Sequence, residues 1–187
     1  MFKTDQPQIQ AFAKKSPKNT ARVIKFVLVS IRRNFAQVED IMTGKCEPNM
    51  MSLTKEGIAY AEEHALELHS IIHDSRMPLH DKLLAVTRVP GLGLPKAGFV
   101  LQLCCGEVGC LDTHNLRNFG LDAKDFKLTK NMAKNIERAK VYVDCCRKEG
   151  GCEYLWDQWC EFIAERWASK WNDAKDVSHA HVRGIVR

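Results

Sequence analysis

The amino-acid sequence predicts an all-α fold. Apolar residues recur at helical spacing along most of its 187 residues. No stretch alternates apolar and polar residues in the way a half-buried strand requires. Proline and glycine fall at intervals that suit the ends of helices. The length suits a single helical domain, 1–187, with a core large enough to stand without disulfide or metal staples.

The elements follow in chain order. Pro7 and the group Ser16-Pro17-Lys18-Asn19 punctuate the start and leave room for a helix over 8–15. From 20 to 35, Val23, Phe26, Val27, Ser30 and Ile31 make one stripe, and Arg22, Lys25, Arg32 and Arg33 make the opposite face. Residues 44–49, with Pro48, read as a loop. Ser52 or Thr54 opens a long helix to 74, with Ile58, Ala61, Ala65, Leu68 and Ile72 on its apolar side. Pro78 opens the next helix, containing Leu83, Leu84 and Val86, and Pro90-Gly91-Leu92-Gly93 interrupts it. A helix over 95–105 begins with Pro95 in its first turn, where the missing N–H costs little. Residues 112–118 are helical or a short connector closed by Gly120. Helices over 130–147 and 153–171 flank Gly150-Gly151, and 172–187 reads as a loose tail.

Composition excludes several classes. The charged share is 27% and the apolar share 45%, which excludes collagen-like and largely disordered chains. Apolar runs such as 27–31 are far shorter than a membrane span of roughly 20 residues, so no membrane partner is expected. The N-terminus has no apolar signal region, which predicts a cytoplasmic protein, and the eight cysteines then read as reduced thiols. The net charge of +5 permits a polyanionic partner without demanding one.

Residues 84–118 carry the functional signal. Helix, tight Gly-x-Gly turn and helix follow one another, with Val89-Pro90-Gly91-Leu92-Gly93 before Ala97, Val100 and Leu101. One glycine of such a turn suits a positive φ, and the pair leaves the backbone bare for close approach. The amides of Leu92, Gly93 and Leu94 would face outward at a helix N-terminus, where an anion such as a phosphate is favoured. Lys96 would add a contact to the same phosphate. A glycine-containing turn then leads to Leu111-Asp112-Thr113-His114.

This stretch, about a fifth of the chain, resembles the helix-hairpin-helix superfamily of DNA glycosylases, in which the hairpin precedes a Gly/Pro-rich loop and an aspartate. The resemblance implies a helical DNA glycosylase-like fold, with the functional core at 79–120. It implies DNA as partner, contacted at Gly91, Leu92, Gly93, Leu94, Lys96, His114 and Asn115. It also implies a flipped-out damaged or modified base as substrate and Asp112 as the catalytic carboxylate. Members that also cleave the strand carry a lysine nucleophile two residues after the second hairpin glycine. Here that position is Pro95, and Lys96 lies about 100° further round the helix. The expected activity is therefore monofunctional hydrolysis of an N-glycosidic bond, by a monomer. Phage proteins of the same superfamily transfer an amino acid or polyamine onto pyrophosphorylated hydroxymethyluracil in DNA. The missing lysine and short chain fit that reading too, with a free amino acid or polyamine as co-substrate in a phage-infected cell. A non-catalytic DNA-binding module is the third reading.

Other candidates carry less. Many lysine-containing relatives hold an iron–sulfur cluster on four closely spaced cysteines. Cys145, Cys146, Cys152 and Cys160 fall in the right region with other intervals, so no cofactor is expected and the thiols read as core residues. His69 and His73, four apart on one helix, have metal-ligand spacing but read as structural, and no metal site is assigned. Trp156, Trp159, Trp167 and Trp171 form a stripe that reads as core packing.

Overall fold

The computed structural model describes residues 5–30, 35–45 and 50–168. These residues are all-α. The helices are α1 (Asp5–Lys14), α2 (Pro17–Ser30), α3 (Phe35–Met42), α4 (Ser52–Glu63), α5 (Ala65–His73), α6 (Leu79–Val86), α7 (Leu94–Cys104), α8 (Thr113–Asn118), α9 (Met132–Lys148) and α10 (Gly151–Ala168). A single 3-10 turn, Ala123–Phe126, stands between α8 and α9. Arg32, Arg33, Trp171 and the tail 172–187 lie outside the described residues, as do the side chains of Trp159 and Trp167. No helix among the described residues is long and apolar enough to cross a membrane.

α2 is the central element. It starts three residues earlier than its apolar stripe suggests, because Pro17 occupies the first turn and the Ser16 hydroxyl accepts from the Asn19 amide at 3.2 Å. Thr20, Ala21, Val23, Ile24, Phe26, Val27, Leu28 and Val29 are all buried, so the helix is covered on most sides and not on one stripe alone. Its neighbours are α1, α3, α4, α5 and α7. Arg22 belongs to this packing, since its guanidinium donates to the Met42 carbonyl at 3.4 Å.

The long helix expected over 52–74 divides at His64 into α4 and α5. The ring of His64 lies 4.2 Å from that of Tyr60, and its backbone leaves helical geometry at φ −98°, ψ 22°. The Leu68 amide still bonds to the His64 carbonyl at 3.0 Å, so the break is a kink. On α5, His69 Nδ1 and His73 Nε2 both meet the Thr20 hydroxyl, at 2.8 and 3.4 Å. That hydroxyl donates to the Ala13 carbonyl, so both rings serve as donors. This is a structural link between α2 and α5.

α7 is the second buried element, packed on α1, α2, α5 and α6, with α6 in turn against α9. The described cysteines are free thiols, and Cys104, Cys110, Cys146 and Cys160 are buried. Trp156 is 2% exposed and belongs to the core. Lys82, whose burial the sequence does not signal, is 1% exposed. Its ammonium donates to the Ile72 carbonyl at 3.1 Å and pairs with Glu107 in the loop after α7. A buried ammonium survives only with such partners.

Candidate functional site

The turn 87–93 joins α6 to α7 and is ordered by its own backbone. Arg88, Val89 and Leu92 amides donate to Ala85, Val86 and Val89 carbonyls at 3.1–3.2 Å. Gly91 has φ +86°, a region side chains avoid, which explains why glycine stands there. Gly93 is different. It is the N-cap of α7 with extended backbone, and a Cβ placed on it would meet nothing nearer than Pro95 Cδ at 4.0 Å. The space beside Gly93 is open.

Three residues of the expected phosphate-contact set, Leu92, Leu94 and Lys96, stand otherwise than expected. The Leu92 amide is used inside the turn, on Val89, and Leu94 is 0% exposed, so of the three expected amides only that of Gly93 is left at an accessible residue. Lys96 bends back, and its Nζ donates to the Gly91 carbonyl at 2.8 Å. It clamps the turn from within and places its positive charge there.

Beside the turn lies a cleft of about 500 Å³. Leu92 to Pro95 form one wall, while Lys124, Phe126 and Lys127 belong to the other. Among the described residues no carboxylate lines it. Sequence reasoning passed over the two lysines because 122–131 shows no helical period.

The loop after α7 carries Asp112, and its course is set by α7 itself. The Gly106 amide bonds to Leu101 at 3.0 Å. Three residues on, Gly109 lies against Gly98, where an added Cβ would sit 2.5 Å from the Gly109 carbonyl oxygen. The loop therefore retraces α7 towards the turn. Four buried bonds hold it. The Tyr142 hydroxyl donates to the Gly109 carbonyl at 2.9 Å and accepts from the Leu111 amide at 2.8 Å. The Gln102 side chain accepts from the Cys110 amide at 3.2 Å, and Asn115 Nδ2 donates to the Cys110 carbonyl at 2.7 Å. Burial pushes the Tyr142 phenol well above its usual range, so it remains a neutral donor.

Asp112 is the N-cap of α8. Its Oδ1 accepts from the amides of His114 and Asn115, both at 2.9 Å. Its Oδ2 makes no hydrogen bond among the described residues. His114 is half-buried, and its Nε2 lies 3.0 Å from Asn118 Nδ2, one helical turn on. Asn115 corrects the expected contact set again. It is 0% exposed, so its side chain cannot reach an external ligand and instead braces the loop.

Burial also governs the thiols here. Cys110 is held well above the ordinary range, and Cys146 is pushed up to about 12, by desolvation in both cases. Neither is an activated nucleophile. Among the described residues no group of three or more His, Cys, Asp or Glu gathers to hold a metal ion. Compared with known protein families, curated proteins and solved structures, the chain matches none.

Proposed function

We propose that this chain is a DNA-base-processing enzyme of the helix-hairpin-helix glycosylase type, hydrolysing the N-glycosidic bond of a flipped-out damaged or modified base. The observation that carries this reading is that one helix supports both halves of the task. The N-terminus of α7 begins at the open face of Gly93, and the loop ending in Asp112 lies along the same helix, with Gly109 against Gly98 and the Cys110 amide on Gln102.

The chemistry follows from the residues. Amides at a helix N-terminus hold a backbone phosphate without reading sequence. An enzyme acting on a base in duplex DNA has to extrude the nucleotide. A carboxylate beside the extruded sugar stabilises positive charge developing at the anomeric carbon, or takes a proton from the attacking water. Asp112 suits this role because Oδ1 is anchored by two amides and Oδ2 makes no hydrogen bond among the described residues. Pro95 occupies the position where a strand-cleaving relative would carry its lysine, so no Schiff base is assigned.

The test is incubation with duplexes carrying uracil, alkylated, oxidised or pyrophosphorylated hydroxymethyluracil bases, followed by nucleoside mass spectrometry. Release of a free base is expected. A heavier nucleoside, formed only with an added amino acid or polyamine, would assign group transfer instead. Asp112→Asn is the informative variant, since asparagine caps a helix about as well as aspartate. Turnover should fall at least about a hundredfold with the melting temperature preserved. Full activity in that variant would refute the assignment.

A further inference from the structure

The segment from Asp122 to Lys134 has an unusual combination of rigidity and unneutralised charge. It carries Lys124, Lys127, Lys130 and Lys134 against Asp122 and Asp125. All four lysines are exposed, and none has a carboxylate within 4 Å among the described residues. Further along the same α9 two cations are paired, Lys140 with Glu137 at 3.2 Å and Arg147 with Asp144 at 3.9 Å. From Lys124 to Lys134, four cations stand in sequence with no such pair among the described residues.

The support beneath these lysines is fixed. Asp122 Oδ1 accepts from the Lys124 amide at 2.9 Å and starts the 3-10 turn. Phe126 anchors that turn in the core, edge-on to Tyr142 with ring centroids 5.3 Å apart. Asn135 binds both the amide and the carbonyl of Thr129 at 2.8 Å, and Asn131 caps α9 on the Lys134 amide at 3.0 Å. The Arg138 guanidinium donates to the Lys127 carbonyl. With the backbone braced, no loop-ordering cost adds to the rotamer entropy the ammoniums lose on meeting a ligand.

Lys124 and Lys127 line the same cleft as Gly93. We propose that 124–134 is a second DNA-contact arm, which takes the phosphate backbone from the side opposite the turn and extends the grip over neighbouring phosphates through Lys130 and Lys134. The proposal rests on the DNA reading above and adds a surface outside the residues the sequence singled out. The occupant is a polyanionic backbone because four exposed ammoniums without a carboxylate partner among the described residues stand along this one braced segment.

The experiment is fluorescence-anisotropy binding of the full chain to a duplex oligonucleotide, from about 50 to 200 mM salt. The variants are Lys124→Gln with Lys127→Gln, and Lys130→Gln with Lys134→Gln. Lys148→Gln serves as control, about 20 Å from Lys134 at the far end of α9. Each double variant should lower the slope of log affinity against log salt by about 2 and weaken low-salt binding at least about tenfold. The control should match the unaltered chain, and all should melt together because the altered side chains are exposed. Unchanged slopes in both double variants, with steep salt dependence in the unaltered chain, would overturn the arm and leave the DNA reading standing. Absence of salt-dependent duplex binding by the unaltered chain would overturn both.

Discussion

Tyr142→Phe removes one oxygen atom, and the structure assigns that atom the task of fixing the Asp112 loop. The ring stays, with its edge contact to Phe126. What disappears is the donor to Gly109 and the acceptor for Leu111, both in buried surroundings. The Leu111 amide is left without a partner, whereas the Gly109 carbonyl keeps the weak Cys146 thiol contact at 3.6 Å. An orphaned buried backbone group costs about 1–3 kcal/mol, so the substitution should destabilise by about 2–4 kcal/mol. For a chain of this size each kcal/mol lowers the melting temperature by about 2–4 °C, giving a fall of about 5–15 °C. Circular dichroism melting measures this, and amide hydrogen exchange should show Leu111 losing protection more than core amides of α2. Turnover should fall with it, because Asp112 follows Leu111 directly, while duplex affinity through the turn stays. A fall under about 2 °C with Leu111 protection intact would refute the reasoning.

Two further outcomes follow from single positions. Gly93→Val should fold normally, since the residue has extended backbone and an added Cβ meets only Pro95 at 4.0 Å, yet its branched side chain projects into the cleft. Duplex affinity should drop at least about tenfold with the melting temperature unchanged; equal affinity would show that no ligand approaches the backbone there. His73 gives a pH signature. Burial first, then the charges of His69, Lys14 and Lys82, lower its pKa from 6.5 to about 4, against a smaller opposing effect of Glu107. The unfolded chain takes up this proton below pH 6.5 and the folded chain resists it, so His73 contributes stability above pH 6.5 that is lost as pH falls towards 4. Melting curves from pH 7 to 4 should show that loss, and His73→Gln should flatten it. Identical pH profiles would refute the burial argument.

The elements reveal which parts were legible from sequence. Val23, Phe26 and Val27 mark α2 correctly, but the burial of Ala21, Ile24, Leu28 and Val29 does not follow from any stripe. It arises because helices pack on several sides of α2. The eight-residue α3 went unseen, since two turns give periodicity too little length to register. The same holds for the 3-10 turn at 123–126, whose shape depends on an aspartate cap and one buried phenylalanine. Around the site, the turn 87–93 and the Asp112 segment were legible because each is a local pattern of a few residues.

The sequence by itself determined the helical class, the position of the turn and the aspartate that caps α8, because capping, glycine turns and apolar spacing act between residues close in the chain. Only the tertiary structure decided that Leu92 uses its amide and Lys96 one ammonium N–H on the turn, that Asn115 faces inward, that Lys82 is buried against Glu107, and that Tyr142 holds the loop from 31 residues away. Those outcomes depend on which surfaces exclude water. A buried donor or acceptor must find a partner wherever the fold places one, and that partner's distance along the chain carries no signal.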